Sequence, residues 1–517
     1  MKRRKFLKDT AKAAALPIFL NGIPLTAFSK SAMFNAIDNE SDSILVLVEL
    51  NGGNDGLNTV IPIEHYSKLS ALRPNLLIPE SKVLKLNDKT GLHPSMSGMK
   101  SLYDNAKLKV VQNVGYPNQN RSHFRSTDIW KSGSGASEYL QTGWLGRYFD
   151  KKYPGFPEDY PNAECTDPFA ITIGSLVSET CQGSSGNFSM ALIDPTSLFT
   201  LNEGEDGNPN MNTCYGMELG FLREALLQTN SYIQVIKSAN DLGKNKVAYP
   251  ANNSLADQLK LVAKLISGGL KSKVYITGIS GFDTHASQVE DNDTTTGTHA
   301  DLLSQVSEAI AAFQADLASQ GNEERVIGMT FSEFGRQIQS NFSSGSDHGT
   351  AAPMFMFGPC VNPGILGNNP MIPDQVKNQE GVAMEIDFRS VYGTILKDWF
   401  KMSDADISEI LFAGWQHLPL IQSCTTATKE VPEDPIAAKL YPNPIHNNGF
   451  VEFFAENELV RISILDAIGH EVKIVSNQKF STAYHKVGFE MQGLPPGNYY
   501  LRLETKRSSV TKAFVKI

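Results

Sequence analysis

Apolar residues along this chain fall into two kinds of run. Ser43 to Leu50 (SILVLVEL), Leu108 to Gly115 (LKVVQNVG), Lys273 to Thr277, Val326 to Phe331 and Pro353 to Phe357 are short and nearly continuous, the pattern of strands buried on both faces. Helical spacing separates them. Leu255 to Ile266 predicts one helix, and His299 to Ser319 predicts another, with Leu302, Leu303, Val306, Ile310, Phe313 and Leu317 on the core side. Gly321 is placed to stop the second. Shorter patterns predict helices over Phe124 to Lys131 and Leu219 to Leu242, the latter bearing Leu222, Leu226 and Leu227. Residues 150 to 255 otherwise carry Gly, Asn and Pro clusters such as GSSGN and EGEDGNPNMN, and read as an insertion or cap. Strands alternating with helices predict an open α/β sheet.

The pattern changes after Trp415. A polar, proline-bearing linker, SCTTATKEVPEDP, leads into short alternating segments at Phe450–Phe454, Val460–Leu465, Glu471–Val475, Lys486–Glu490, Tyr499–Glu504 and Ser509–Val515. Those predict a small all-β sandwich. At 517 residues, two or three domains are expected. A net charge of −9 argues against a nucleic-acid partner, which needs a basic face. Five cysteines show no zinc-binding spacing; Cys165, Cys181 and Cys214 share one loop-rich region, where a disulfide is one expectation.

The first residues, MKRRKFLKDTAKAAALPIFLNGIPLTAFSKSA, combine a basic start with an apolar segment broken by Lys12, Pro17, Asn21 and Pro24, a poor membrane span. Arg3-Arg4-Lys5-Phe6-Leu7-Lys8 resembles the twin-arginine export signal; the alternative is an ordinary secretory leader, and either implies export. Residues 1–32 are expected to be the signal, cleaved near Ala27 to Ala32 and read by the twin-arginine translocase, and the mature protein is expected to have no transmembrane span.

Polar groups gather where the predicted strands end, the edge at which open α/β sheets bind ligands. Asn51-Gly52-Gly53-Asn54-Asp55 follows the first strand, and Asn51 and Asp55 offer oxygens there, unless the segment is a plain turn. Arg121, Ser122 and His123 stand where a helix begins; Ser122 fits an N-cap, and the same geometry suits a bound anion. Asp283 and His285 lie just past a strand and could both reach one cation, or form a polar turn. Glu333, Arg336, Asp347 and His348 follow the next; an ion pair and a self-bonded turn are the plainer reading of these four. His65 and His93 read as structural, and His299 as a first-turn surface histidine unless it supports a ligand from behind.

Taken in order, the phrases ELNGGNDGLNTVIP, NRSHFRSTDIWKSG, TGWLGRYFD, GFDTHASQ, FSEFGRQIQSN and DHGTAAPMFMFG resemble the secreted sulfatase-like bacterial family of domain of unknown function 1501, within the alkaline phosphatase–sulfatase superfamily. The resemblance covers roughly residues 43–420 and implies a doubly wound, mostly parallel α/β sheet with metals at its C-terminal edge. It implies that Asp283, His285 and His348 hold a divalent metal (zinc, manganese or calcium), with Asn51, Asp55 and Glu333 near further ligand positions. Ser122 falls near the nucleophile, with His123 beside it and Arg121 or Arg336 to clamp anionic oxygens. Asn51 and Phe334 depart from the superfamily pattern, which favours one metal over two, and no formylglycine signature surrounds Ser122.

YPNP at Tyr441–Pro444, ILDAIGHEV and GLPPGNYYLRLE resemble the sorting domain of the Bacteroidetes type IX secretion machinery, expected over residues 438–517 after a linker at 421–437. The expectation is therefore an extracellular or surface-attached, metal-dependent hydrolase of phosphate or sulfate esters, including sulfated or phosphorylated glycans. The alternative is a non-catalytic member acting in surface glycan binding or assembly.

Overall fold

A computed structural model describes residues 19–20, 23–24, 42–196, 229–422, 424, 438–455, 457–466, 470–481, 483–505 and 509–517. It divides into two compact units, residues 1–422 and 423–517. The export-signal reading, Cys214 and the first half of the helix expected at Leu219–Leu242 lie outside the described residues; residues 229–242 are helical.

The larger unit is built on a nine-stranded sheet. Its strands are β1 (Ile44–Asn51), β2 (Leu108–Gly115), β3 (Ala170–Ile173), β4 (Ser189–Leu192), β5 (Val274–Ser280), β6 (Val326–Phe331), β7 (Ala352–Phe357), β8 (Gly364–Leu366) and β9 (Ile386–Asp387). Their order is β8-β2-β7-β6-β1-β5-β3-β4, with β9 also on β2. All neighbours are parallel except β7, which runs against both β6 and β2. The mostly parallel α/β sheet read from the sequence is the one observed.

Each face of β1 has its own cover. Ile44, Val46, Val48 and Leu50 pack into a core shared with α4 (Ser254–Ser267) and α5 (Thr298–Gln320). The α5 side chains Leu303, Val306, Ile310, Phe313 and Leu317 are all buried there, at roughly 1.5–3 kcal/mol each. Gly321 ends α5 at φ 79°, a left-handed position that glycine takes without strain. On the opposite face α2 (His123–Ser132) brings Trp130 onto Phe331, ring centroids 5.9 Å apart, and Lys131 to within 3.4 Å of Glu49. Phe331 and Glu49 are register partners, so both stand on that face. Trp144 of α3 (Trp144–Lys152) and Tyr392 of α6 (Phe388–Thr394) extend the layer. The sheet is thus doubly wound.

Residues 150–255 differ from the expected irregular insertion. They contribute β3 and β4, which extend the main sheet at one edge. Four-residue, partly buried strands show no periodicity long enough to read. In the same region Cys165 and Cys181 are thiols, whereas Cys360 and Cys424 are each in disulfide linkage. Burial pushes the Cys181 thiol well above its ordinary range, which makes it inert.

The second unit, considered by itself, has a three-stranded and a four-stranded antiparallel sheet around one core that includes Val451, Phe453, Ile462, Leu501 and Phe514. Alternation predicted this, since inward residues recur at every second position.

Candidate metal centre

Topology brings the polar clusters to one edge. Strands β1, β2, β5 and β6 are mutually parallel, so their C-terminal ends share that edge. The reversal of β7 puts its N-terminal end there too, and the loop 332–351 therefore stays beside the ends of β1 and β5.

Tight backbone packing sets the floor of the site. Gly52 sits at φ 123°, where a Cβ would lie 2.3 Å from the Asp283 nitrogen. Its own N–H donates to Glu333 Oε1 at 2.9 Å. Arg336 closes the arrangement from beneath. Its buried guanidinium donates to the carbonyls of Gly53 (2.7 Å), Ser346 (2.8 Å), Phe282 (2.9 Å) and Gly52, and to Asp283 Oδ1 at 2.7 Å. Three loops are tied to one cation. Arg336 is accordingly a strut under Asp283, its side chain closed off from solvent and from any bound ester. Gly52→Ala is expected to displace Asp283 and weaken metal affinity about 10–100-fold, as loss of ligand support does; metal titration of the folded variant measures it.

Above this floor three imidazoles converge on one carboxylate. Asp283 Oδ1 lies 3.2 Å from Nε2 of both His285 and His348, and Oδ2 lies 3.5 Å from Nε2 of His123. The Nε2 atoms of His285 and His348 are 2.9 Å apart. Each ring is fixed from behind through Nδ1: His285 by Asp347 Oδ1 at 2.7 Å, His348 by the Arg121 carbonyl at 2.9 Å, and His123 by Glu333 Oε1 at 2.7 Å. Burial alone would lift the Asp347 carboxyl, but the bonds from His285 and Asn341, with the nearby charges of His285 and Arg336, together hold the group below its ordinary value. Asp283 is likewise held low, chiefly by Arg336 against the effect of burial.

Those acceptors dictate the tautomers. With Nδ1–H donated outward, each neutral ring turns the bare lone pair of Nε2 toward Asp283. Two such lone pairs at 2.9 Å repel unless a proton or cation stands between them. His123 Nε2 is buried without a hydrogen-bond partner. His123, Asp283 and His348 each offer a ligand atom within 4.8 Å of the other two, and His285 Nε2 lies 3.2 Å from Asp283 Oδ1 and 2.9 Å from His348 Nε2, near the roughly 3.3 Å that ligand atoms around a tetrahedral cation need. The donor set fits a divalent metal.

The other sequence candidates fall elsewhere. Glu333 stands behind His123, bonded to its Nδ1. Asn51 lines a pocket of about 540 Å³ that opens beside Asp283 and His123. Asp55 is buried against Arg73, with bonds of 3.1 and 2.7 Å, and takes a third from Gln288 at 2.6 Å. Ser122 is exposed at the start of α2, and its hydroxyl makes no capping bond, so the N-cap explanation does not account for it. Arg121 Nη1 reaches the carbonyls of Gln379 (2.7 Å) and His348 (3.3 Å). His123, read as a donor beside the serine, instead groups with Asp283 and His348. Its only sequence signal was its place next to Ser122.

His93 and His299 lie in a buried network beside the glycine turn, where His299 Nε2 is 3.0 Å from Asn54 Oδ1. Burial holds His299 near about 4 and, together with His299, holds His93 near about 3, both below the ordinary 6.5. The unfolded chain thus binds more protons as pH falls from 6.5. The stability these groups leave intact above pH 6.5 is lost between there and pH 4 to 3, at about 1.4 kcal/mol per pH unit for each group. Urea midpoints that stay flat from pH 7 to 4 would contradict this assignment.

The larger unit is thus a mostly parallel, doubly wound α/β sheet with a histidine–carboxylate cluster at its C-terminal edge. Residues 256–411 match the family described as protein of unknown function (DUF1501), and residues 439–517 match the secretion system C-terminal sorting domain. The tail thus marks the chain for secretion, and no described helix is long and apolar enough to cross a membrane. Among solved structures, PorZ, an essential surface component of the type IX secretion system of Porphyromonas gingivalis, is 16% identical with a TM-score of 0.13; the match covers 19% of this chain and 13% of that one. An alkaline phosphatase superfamily protein of Vibrio parahaemolyticus is 10% identical over 86% of this chain and 82% of its own, TM-score 0.36. A sulfatase from Pseudoalteromonas sp. is 11% identical over 89% and 86%, TM-score 0.30. No curated protein matches the chain.

Proposed function

We propose that this is an exported, metal-dependent hydrolase of phosphate or sulfate esters, with Asp283, His123, His285 and His348 holding one divalent ion. The reading is carried by the convergence of three Nε2 atoms on Asp283, each ring braced through Nδ1. Metal-binding histidines usually donate their other N–H in this way. Three imidazoles and one carboxylate suit zinc better than calcium, which prefers oxygen ligands. When bound, such an ion supplies charge stabilisation to the ester oxygens and lowers the pKa of a coordinated hydroxyl.

The chain's own residues do the rest. Ser122 Oγ forms the bond to phosphorus or sulfur while the bond to the alcohol oxygen breaks, and that oxygen leaves with a proton. Water then displaces Oγ, releasing phosphate or sulfate and restoring the hydroxyl. Arg121, next to Ser122, is the remaining candidate to hold the anionic oxygens. A twin-arginine signal and the type IX machinery would carry the folded protein to the cell exterior or surface of a Bacteroidetes-type bacterium.

Metal analysis and turnover of aryl phosphate and aryl sulfate, before and after chelation, test this reading. About one metal per chain and chelator-sensitive turnover are expected; a metal-free protein that stays inactive after reconstitution rejects it. If turnover is present, Ser122→Ala should lower kcat at least 1,000-fold with metal content unchanged. A second reading, non-catalytic glycan binding at the surface, draws on the locked Asp55–Arg73 pair, which leaves Asp55 unable to serve a second metal.

A further inference from the structure

We propose that the pocket beside the histidine cluster takes esters whose alcohol portion carries an ammonium group, the cation lying against Phe124 and Glu179. The inference extends the hydrolase reading and rests on it for turnover, but its binding component stands alone. The pocket, about 540 Å³, joins Asp283 and His123 on one side to Phe124, Thr127, Asp128 and Glu179 on the other. Phe124, Thr127 and Asp128 are spaced i, i+3, i+4 on α2 and so share one helix face. Phe124 is 91% exposed. An aromatic face beside carboxylates is the arrangement that attracts an organic cation.

Charge decides between occupants. Among the described residues no lysine or arginine lines the pocket. Asp128 is matched by Arg125 and Asp283 by Arg336, while the buried Glu333 is taken up by hydrogen bonds with His123 Nδ1 and the Gly52 N–H. Glu179 is exposed and forms no ion pair among the described residues. A second anionic group on the alcohol portion would be repelled there, and a neutral one would gain nothing. A cation gains attraction to Glu179 and to the ring of Phe124, while the ester anion at the other end faces the metal centre. Pocket walls of one sign concentrate such a ligand.

Calorimetric titration of the metal-loaded full chain with phosphocholine, phosphoethanolamine and glycerol 3-phosphate tests the inference. Phosphocholine is expected to bind about tenfold tighter than glycerol 3-phosphate, and phosphoethanolamine separates a quaternary from a primary ammonium. Glu179→Gln should bring phosphocholine and glycerol 3-phosphate to within about threefold. Phe124→Ala should weaken phosphocholine about two- to fivefold and leave glycerol 3-phosphate unchanged, the range of an exposed cation–π contact. Both side chains are exposed, so neither variant threatens folding. Equal affinities in the native protein, or no response to either variant, overturn the inference. Turnover without cation preference removes it and leaves the hydrolase reading intact; cation binding without turnover of any ester does the reverse.

Discussion

Asp283→Ala is expected to empty the metal centre. Asp283 is the only carboxylate among the converging groups, within 3.2 Å of two imidazole nitrogens and 3.5 Å of the third. Without it three neutral rings must hold a dication with no anionic partner, while the buried Arg336 loses the carboxylate it pairs with and adds positive charge beneath. Metal content should fall from about one equivalent to near zero, and ester turnover should fall with it. Asp347→Asn and Glu333→Gln turn the carboxylates behind His285 and His123 into neutral, weaker amide acceptors, and are expected to weaken affinity about 10–100-fold each. That ordering, ligand above support, is the discriminating result. Full metal retention by a folded Asp283→Ala protein would show that Asp283 is not a ligand of the bound metal. Circular dichroism and a denaturation midpoint on the same sample separate metal loss from unfolding.

Arg73→Met is expected to cost about 3–5 kcal/mol of stability, the largest effect of any single change away from the centre. Arg73 and Asp55 are both 1% exposed and joined by two bonds. Burial pushes the Asp55 carboxyl upward, and Arg73 outweighs that and holds it below its ordinary value. With Arg73 gone, Gln288 is left as the donor to a carboxylate that cannot reach water. The group must then either stay charged at high cost or take up a proton, so the loss should shrink as pH falls. Arg73→Met combined with Asp55→Leu should recover most of the stability, because the stranded charge is removed as well. A single variant within 1 kcal/mol of the parent would mean the pair is not buried in solution. Gln288 also bonds Ser346 and Thr284, so some loss of metal affinity is expected alongside.

Much of the scaffold was legible because burial on two faces forces continuous apolar runs. Leu108–Gly115 and Val326–Phe331 match their strands residue for residue, and the helix expected at His299–Ser319 is one residue longer at each end. The four short strands β3, β4, β8 and β9 were missed, since two to four residues hold no readable period. Adjacency told where polar clusters sit, at the ends of strands, without telling which way a side chain turns.

By itself the sequence determined the α/β unit with its C-terminal β sandwich, and placed Asp283, His285 and His348 just past strand ends, at one edge of the sheet. Only the tertiary structure decided the division of labour among the polar residues. His123 turns its Nε2 toward Asp283 because Glu333 Oε1, 210 residues away, holds its Nδ1 by a hydrogen bond. Arg336 is a buried strut because carbonyls from the loops after β1 and β5 close over it. Asp55 is a structural anion because Arg73 reaches it in the core. Each outcome depends on contacts between segments far apart in the chain, and local pattern carries no record of them.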